Sequence, residues 1–126
     1  MRYSLSVIIP VHKSYLYIER CIDSLLANNG LNLQIIVAAN SDSPKEIQRI
    51  NKKIRTIYGQ YGCISILNIT KGGKSNAINQ ALRYVQNEVV MIGDADTFFY
   101  RRGLTKCVSL LYENTNLVAV TGRVEV

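Results

Sequence analysis

The chain contains no tryptophan, a single histidine, two prolines and three cysteines. His12 has no second imidazole with which to share a metal, and Cys21, Cys63 and Cys107 are an odd, widely spaced set without a metal-ligand pattern. That speaks against a zinc site and a disulfide framework, and the thiols are expected to be reduced, in a cytoplasmic protein. No apolar run approaches the ~20 residues that a membrane-crossing helix needs. The longest, Val7-Ile8-Ile9 and Val89-Val90-Met91-Ile92, have the length of buried strands. The first ten residues hold one arginine and a short apolar run closed by Pro10, with no small-residue cleavage site behind it, which is the pattern of a first strand rather than a secretion signal. The alternation of aromatic and basic residues typical of an RNA-binding sheet is missing as well, so nucleic acid is not the expected partner.

What is present belongs to an ordinary globular domain. The hydrophobic fraction of 48% and charged fraction of 19% argue against disorder. A chain of 126 residues is sized for one domain, 1–126, with a real core. Fifteen Lys and Arg against nine Asp and Glu leave a net charge of +6, which admits a phosphorylated ligand or another anionic partner. Much of the excess lies in residues 45–55, where Arg49, Lys52, Lys53 and Arg55 alternate with Ile47, Ile50 and Ile54. At helical spacing that is an apolar stripe with a solvated basic back. The same face leaves room for peripheral contact with a membrane surface.

Strand and helix patterns alternate along the chain. Residues 5–9 form a continuous apolar run ended by Pro10, as expected for a strand covered on both faces. Residues 15–28 carry Ile18, Ile22, Leu25 and Leu26 at helical spacing before Asn29-Gly30 stops them. A second strand is expected at 33–38. Ser43-Pro44-Lys45-Glu46 then reads as a helix start in which Ser43 and Glu46 cap each other and Pro44 takes the first helical position. Further elements are expected at 64–69 (strand), 75–85 (helix), 89–93 (strand) and around Leu104, Val108 and Leu111 (helix), with a last extended segment over 117–126. Strands that alternate with helices imply an α/β architecture: an open, mostly parallel, Rossmann-like sheet flanked by helices on both faces. In such sheets ligands bind beyond the carboxyl ends of the strands, which selects residues 11–13, 39–43, 70–74 and 94–97.

Two of those places carry chemistry. In Ile92-Gly93-Asp94-Ala95-Asp96-Thr97 a buried strand runs into two carboxylates spaced so that, on extended backbone, both face one side. Hard divalent cations favour such oxygens and complete their shells with a diphosphate. The plain alternative is a polar turn whose aspartates are solvated or cap Thr97 and Phe98. The second place is Lys71-Gly72-Gly73-Lys74-Ser75-Asn76-Ala77-Ile78-Asn79, where two glycines permit close backbone approach and a helix N-terminus favours anions. A simple turn capped by Ser75 would leave the same trace. Gly73-Lys74-Ser75 also matches the end of a P-loop, which keeps a nucleotidase open, although that motif needs glycine where this chain has Asn68.

Taken in order, Ser6 to Lys13, Gln34-Ile35-Ile36-Val37, Gly72 to Asn79, Ile92 to Thr97 and Val118 to Val126 resemble family 2 glycosyltransferases of the GT-A fold, and most closely the processive branch that includes hyaluronan and chitin synthases. The resemblance spans essentially the whole chain. It implies a domain that binds a nucleotide-diphospho-sugar through Mn2+ or Mg2+ and passes the sugar, with inversion, to a hydroxyl on a saccharide or lipid-linked acceptor. It implies, too, a nucleobase pocket walled by the turn after Pro10, including Val11; phosphate contacts from Gly72, Gly73, Lys74 and the helix reaching Asn79; Asp94 beside the ribose or donor sugar; and Asp96 on the metal.

Two departures accompany the resemblance. The Asp-Asp pair usual after the second strand is replaced by Ala39 and Asn40; Asn40 can still donate to and accept from a base edge. Asp42, two residues later, either substitutes for the lost carboxylate or caps the next helix beside Ser43. The general base of the family lies in a second, acceptor-binding half that this chain is expected to lack, together with the Gln-x-x-Arg-Trp motif and the membrane helices of the processive branch. Glu125, in the last expected strand, is a poor replacement. A catalytically incomplete nucleotide-sugar-binding module is therefore the alternative to a compact enzyme completed by another chain. An exposed sheet edge would favour a homo-oligomer.

Overall fold

The computed structural model describes residues 2–12, 16–28 and 30–121. Four strands and four helices alternate: β1 (Tyr3–Val11), α1 (Ile18–Leu26), β2 (Leu31–Asn40), α2 (Pro44–Tyr58), β3 (Ile64–Ile69), α3 (Lys74–Leu82), β4 (Val90–Ile92) and α4 (Gly103–Glu113). The strands form one sheet in the order β3-β2-β1-β4, and all three pairings are parallel. β1 and β2 are central, and their apolar runs are buried on both sides, as parallel sheets require.

The period-two alternation of strand side chains divides the core. Leu5, Val7, Ile9 and Val11 of β1, with Ile35, Val37 and Ala39 of β2, pack against Ile18, Cys21, Ile22 and Leu25 of α1, Ile50 and Ile54 of α2 and Leu104 and Val108 of α4. The residues between them, Ile8, Ile36 and Ala38, face the other way and meet Ala77 and Ala81 of α3. Among the described residues three helices therefore cover one face and α3 alone covers the other. Small alanines let α3 sit close to β1 and β2, and this places its first residue over the open end of the sheet.

A polar network centred on Ser6 and Gln34 fixes how the chain returns from α3 to β4. Ser6 Oγ donates to Gln34 Oε1 at 2.6 Å and accepts from Asn87 Nδ2 at 3.0 Å, while Gln34 also accepts the N–H of Gln86 and donates to the carbonyl of Tyr84. The fully buried Ser6 hydroxyl is thus matched as both donor and acceptor, as the cost of leaving it unpaired demands.

Several boundaries differ from the sequence reading. Pro10 does not end β1; it pairs in register with Ala38, and Val11 with Ala39. β4 runs alongside only Ser6 to Ile8, so at position 10 no ladder partner is needed on that side and a residue without an N–H is tolerated. α1 begins at Ile18, directly after the turn at Leu16 and Tyr17. α3 stops at Leu82, and β4 is only three residues long. The expected capping box at α2 is absent: Ser43 makes no side-chain cap. Ser41 holds that turn instead, with its Oγ donating to Glu46 Oε2 at 2.8 Å and accepting the N–H of Ser43 at 3.0 Å. Residues 117–121 are not in a strand, and the rest of the expected last segment, including Glu125, lies outside the described residues.

Candidate active site

All four strands point their carboxyl ends the same way, so the loops after them share one crevice. The loop after β3 starts at a sheet edge, yet it does not stay there. It turns back over the end of β2, where the N–H of Gly72 donates to Asp42 Oδ1 at 3.0 Å. It then enters α3 through Gly73, whose φ of +121° lies in the region that side chains rarely adopt. At the first position of α3, Lys74 reaches Asp94 beyond β4, with Nζ 2.5 Å from Oδ1. With strands spaced ~4.8 Å apart, β3 and β4 lie roughly 14 Å from each other. The glycine loop and its lysine therefore bridge most of the sheet's open end.

The acidic turn has a defined shape. β4 ends at Ile92, and the N–H of Thr97 donates to the main-chain carbonyl of Asp94 at 3.0 Å. Ala95 is buried in the main core, whereas Asp94 and Asp96 on either side of it are exposed. Both carboxylates thus face solvent, through a turn rather than through continued strand. Neither caps Thr97 with its side chain; the carbonyl of Asp94 does that.

Cys21 of α1 lies directly beneath. Its Sγ is 3.5 Å from the carbonyl oxygen of Asp94, and the side chain is fully buried. Burial, then the negative charges of Asp96 and Asp94, push its thiol up to about 12. Ser24, one turn further along α1, accepts the N–H of Phe99 and so anchors the chain leaving the turn.

The remaining predicted positions sit as follows. Val11 is completely buried in the main core, so its backbone rather than its side chain lines the exit of β1, and Pro10 beside it is half-buried. Asn40 is 2% exposed, too enclosed to present an amide freely to a ligand in this conformation. Its carbonyl accepts a hydrogen bond from His12 Nδ1 at 2.8 Å, which ties the ends of β1 and β2 together. Asn79 is exposed on α3, one turn beyond Ser75. Asp42 does not cap α2; it holds the glycine loop. The N-terminus of α3 has no side-chain cap, so its first-turn N–H groups remain available toward the crevice.

What the arrangement offers is a cation-bearing loop and an uncapped helix end facing two exposed carboxylates. As a donor set for a divalent cation, the carboxylate pair is chemically suitable but incomplete. Among the described residues no group of three or more His, Cys, Asp and Glu side chains is disposed to hold a metal ion. Asp96 has no ion-pair partner among them, and Asp94 is shared with Lys74. A hard ion held here would take its other oxygens from water and a ligand, a pattern common for Mg2+ with phosphates. Two hollows formed by the described residues, one of about 470 Å3 beside α2 and β3 and one of about 720 Å3 between the end of α1 and the start of α4, include none of these residues.

Sequence reading names Asp94, Asp96, Gly72, Gly73 and Lys74 but not the contact between Lys74 and Asp94, and it names Cys21 only as a reduced thiol, without a place beneath the acidic turn. Asp42 reads from sequence as a substitute carboxylate or a helix cap; its bond to the N–H of Gly72 is visible only in the fold.

Comparison with known proteins gives a consistent picture. Residues 6–126 match the model of glycosyl transferase family 2. The chain is 24% identical over 115 residues to a chondroitin synthase of Pasteurella multocida (strain Pm70) and, to the same degree, to a hyaluronan synthase of Pasteurella multocida, in each case over 91% of this chain. It spans 12% and 11% of the lengths of those two proteins. Among solved structures, S. aureus TarS 1-349 superimposes with a TM-score of 0.67 at 22% identity, over 90% of this chain and 33% of that one. The same TarS fragment in complex with UDP-GlcNAc gives 0.66 at 22% identity, over 90% and 32%. The mannosyltransferase PcManGT from Pyrobaculum calidifontis, in complex with GDP-Man and Mn2+, gives 0.63 at 24% identity, over 88% and 33%.

Proposed function

Because the chain belongs to glycosyltransferase family 2, we propose that the crevice beyond β1, β2 and β4 binds a nucleotide-diphospho-sugar, whose sugar is transferred with inversion to a hydroxyl acceptor on a saccharide or lipid-linked molecule. The observation that carries this reading is the convergence of the loop after β3 and the turn after β4 on one pair, Lys74 and Asp94. A cationic loop on a helix N-terminus, set against exposed carboxylates, is the combination a metal-bridged diphosphate requires. Solved relatives of this fold carry UDP-GlcNAc in one case and GDP-Man with Mn2+ in another, which supports a donor of the same class here.

In this reading the groups of the crevice divide the work of holding the donor. Lys74 and the free N–H groups of α3 hold the diphosphate oxygens; Gly72 and Gly73 leave room for them to come close to the backbone. Asn79, a turn further along, borders the same face. Pro10 and the backbone of Val11 border the base, and Asn40 stands behind them at the end of β2. Asp94 orients the ribose or the donor sugar. Asp96, with Asp94 beside it, would hold Mn2+ or Mg2+, which supplies positive charge where negative charge gathers on the departing diphosphate. The nucleophile is the acceptor's hydroxyl. The three crevice carboxylates, Asp42, Asp94 and Asp96, all have donor-side tasks, so the base that takes the acceptor's proton is not assigned to any of them.

Calorimetric titration with a panel of nucleoside diphosphates and sugar nucleotides, with and without Mn2+, tests the proposal. Metal-dependent binding that disappears in Asp96→Ala is the expected result. Binding that is indifferent to both the metal and Asp96 would overturn it.

A further inference from the structure

Resting on the donor-site reading above, we propose that Lys74 is the resident counter-cation of Asp94, so that a divalent ion enters the crevice together with the diphosphate and not ahead of it. Two contacts hold the glycine loop across the sheet's open end. Asp42 takes the N–H of Gly72 in the middle, and Asp94 takes the ammonium of Lys74 at the far side. A metal arriving alone meets Asp96 with a positive charge already seated on its neighbour. The uncapped start of α3 adds partial positive charge on the same side. Both conditions weaken the site for a bare cation.

A diphosphate changes the partners. Its oxygens carry more negative charge than one carboxylate, and they would lie against the same helix end. Lys74 has a long flexible stem and a compact charge, so it can exchange one anion for the other without movement of α3. The pair is well exposed, with 59% of the Lys74 side chain and 57% of the Asp94 side chain accessible. Exposed ion pairs are weak and readily exchanged, each worth a factor of about two to five in an equilibrium constant. Once Lys74 has turned to the diphosphate, Asp94 is released to join Asp96. Lys74 then has two roles of opposite sign: it opposes metal alone and favours metal with nucleotide.

The test is a set of Mn2+ titrations on the wild type, Lys74→Met, Lys74→Arg and Asp96→Ala, each performed with the ion alone and with saturating UDP or GDP. Bound Mn2+ is read from its paramagnetic resonance signal, so no turnover is needed. Lys74→Met should bind Mn2+ alone about two- to fivefold more tightly than wild type, the range for loss of an exposed pair, and should bind it less tightly when nucleotide is present. Lys74→Arg, which keeps the charge, should follow the wild type in the titration without nucleotide. If Lys74→Met gains nothing for the bare ion while nucleotide-dependent binding still requires Asp96, the counter-cation role is wrong and the donor site stands. If the wild type shows no nucleotide-dependent Mn2+ binding, or if Asp96→Ala retains it, the donor site itself fails and this inference fails with it.

Discussion

The backbone N–H of Phe99 donates to Ser24 Oγ at 3.0 Å, which fastens the segment leaving the acidic turn to the last turn of α1. The same hydroxyl donates to the carbonyl of Cys21 at 2.7 Å, and Ser24 is almost completely buried. One small side chain thus joins the helix that covers the main core to the loop that carries Asp94 and Asp96.

Replacing Ser24 should therefore cost stability and disturb the site together. Ser24→Ala leaves the N–H of Phe99 without its acceptor, a loss of about 1–3 kcal/mol for a group shielded from water. Urea melts should show that decrease with little change in slope, and nucleotide-dependent Mn2+ binding should weaken in parallel. A variant as stable as the wild type would mean that the hydroxyl contributes nothing to holding the turn.

The start of α2 provides a cleaner comparison, because two serines compete for one role. Ser41 makes both contacts that close the turn, whereas Ser43 contributes only its backbone. Ser41→Ala is expected to destabilise the chain by about 1 kcal/mol, the usual cost of losing a helix-start cap. Ser43→Ala should cost a few tenths at most. Equal losses would restore the capping box that the sequence suggests.

That comparison also shows where sequence reading reaches its limit. The order of elements was legible because apolar runs of strand length alternate with helical periodicity, and burial follows directly from both. The cap was misplaced because Ser41 and Ser43 are equally good local candidates, and only the path of the backbone after Asn40 chooses between them. Pro10 reads as a stop because proline removes a ladder donor; whether the loss matters depends on the length of β4, which lies eighty residues away in the chain. The crevice residues could be named from strand ends alone, yet the pairing of Lys74 with Asp94 could not. It follows from α3 lying over β1 and β2, a consequence of packing at Ala77 and Ala81. The enclosure of Asn40 has the same origin, since local sequence shows a strand end and only tertiary packing shows that it is covered.

Gly73 should be the least replaceable of the glycines near the site. Its φ of +121° disfavours every residue with a Cβ, so Gly73→Ala should cost about 1–3 kcal/mol of strain. Gly62 is the control: a Cβ there meets no atom within 4 Å, and its φ is unexceptional. Gly62→Ala should melt within a few degrees of the wild type, whereas Gly73→Ala should melt earlier and bind nucleotide more weakly. Similar behaviour of the two variants would remove the conformational argument for the loop.

The buried thiol predicts a pattern of reactivity and of pH dependence. Cys63 and Cys107 are partly exposed and Cys21 is fully buried, so brief alkylation at pH 8 followed by mass spectrometry should label the first two and spare the third. The folded chain raises the Cys21 thiol from 9.0 to about 12. A raised value means that the folded state keeps its proton while the unfolded state releases it. The associated stability is complete below about pH 9 and declines as pH climbs toward 12. The Tyr58 hydroxyl, raised by burial and by its hydrogen bond to Asp23, declines in the same direction from its own ordinary value of 10.0 upward. Comparing wild type with Cys21→Ala in denaturant melts at pH 8 and pH 10 separates the two, because only the wild type should lose the thiol's share. Identical pH slopes would show that Cys21 is not held neutral by its surroundings.

The outer edge of β4 bears on assembly. Among the described residues no strand pairs with that side, and Val90 and Ile92 are 37% and 49% exposed along it. An unpaired edge presents a row of main-chain donors and acceptors, and apolar side chains there remove the usual protection against pairing with another chain. We expect at least a dimer in solution, joined at β4. A charge on the edge should oppose that contact, so Ile92→Lys should lower the mass measured by light scattering while leaving the far-ultraviolet circular dichroism unchanged. Because Ile92 is the residue of β4 nearest the acidic turn, pairing at this edge would also bring a second chain to the border of the crevice. A monodisperse monomer at high concentration would exclude that arrangement, and an Ile92→Lys variant that remains dimeric would place the contact elsewhere on the surface.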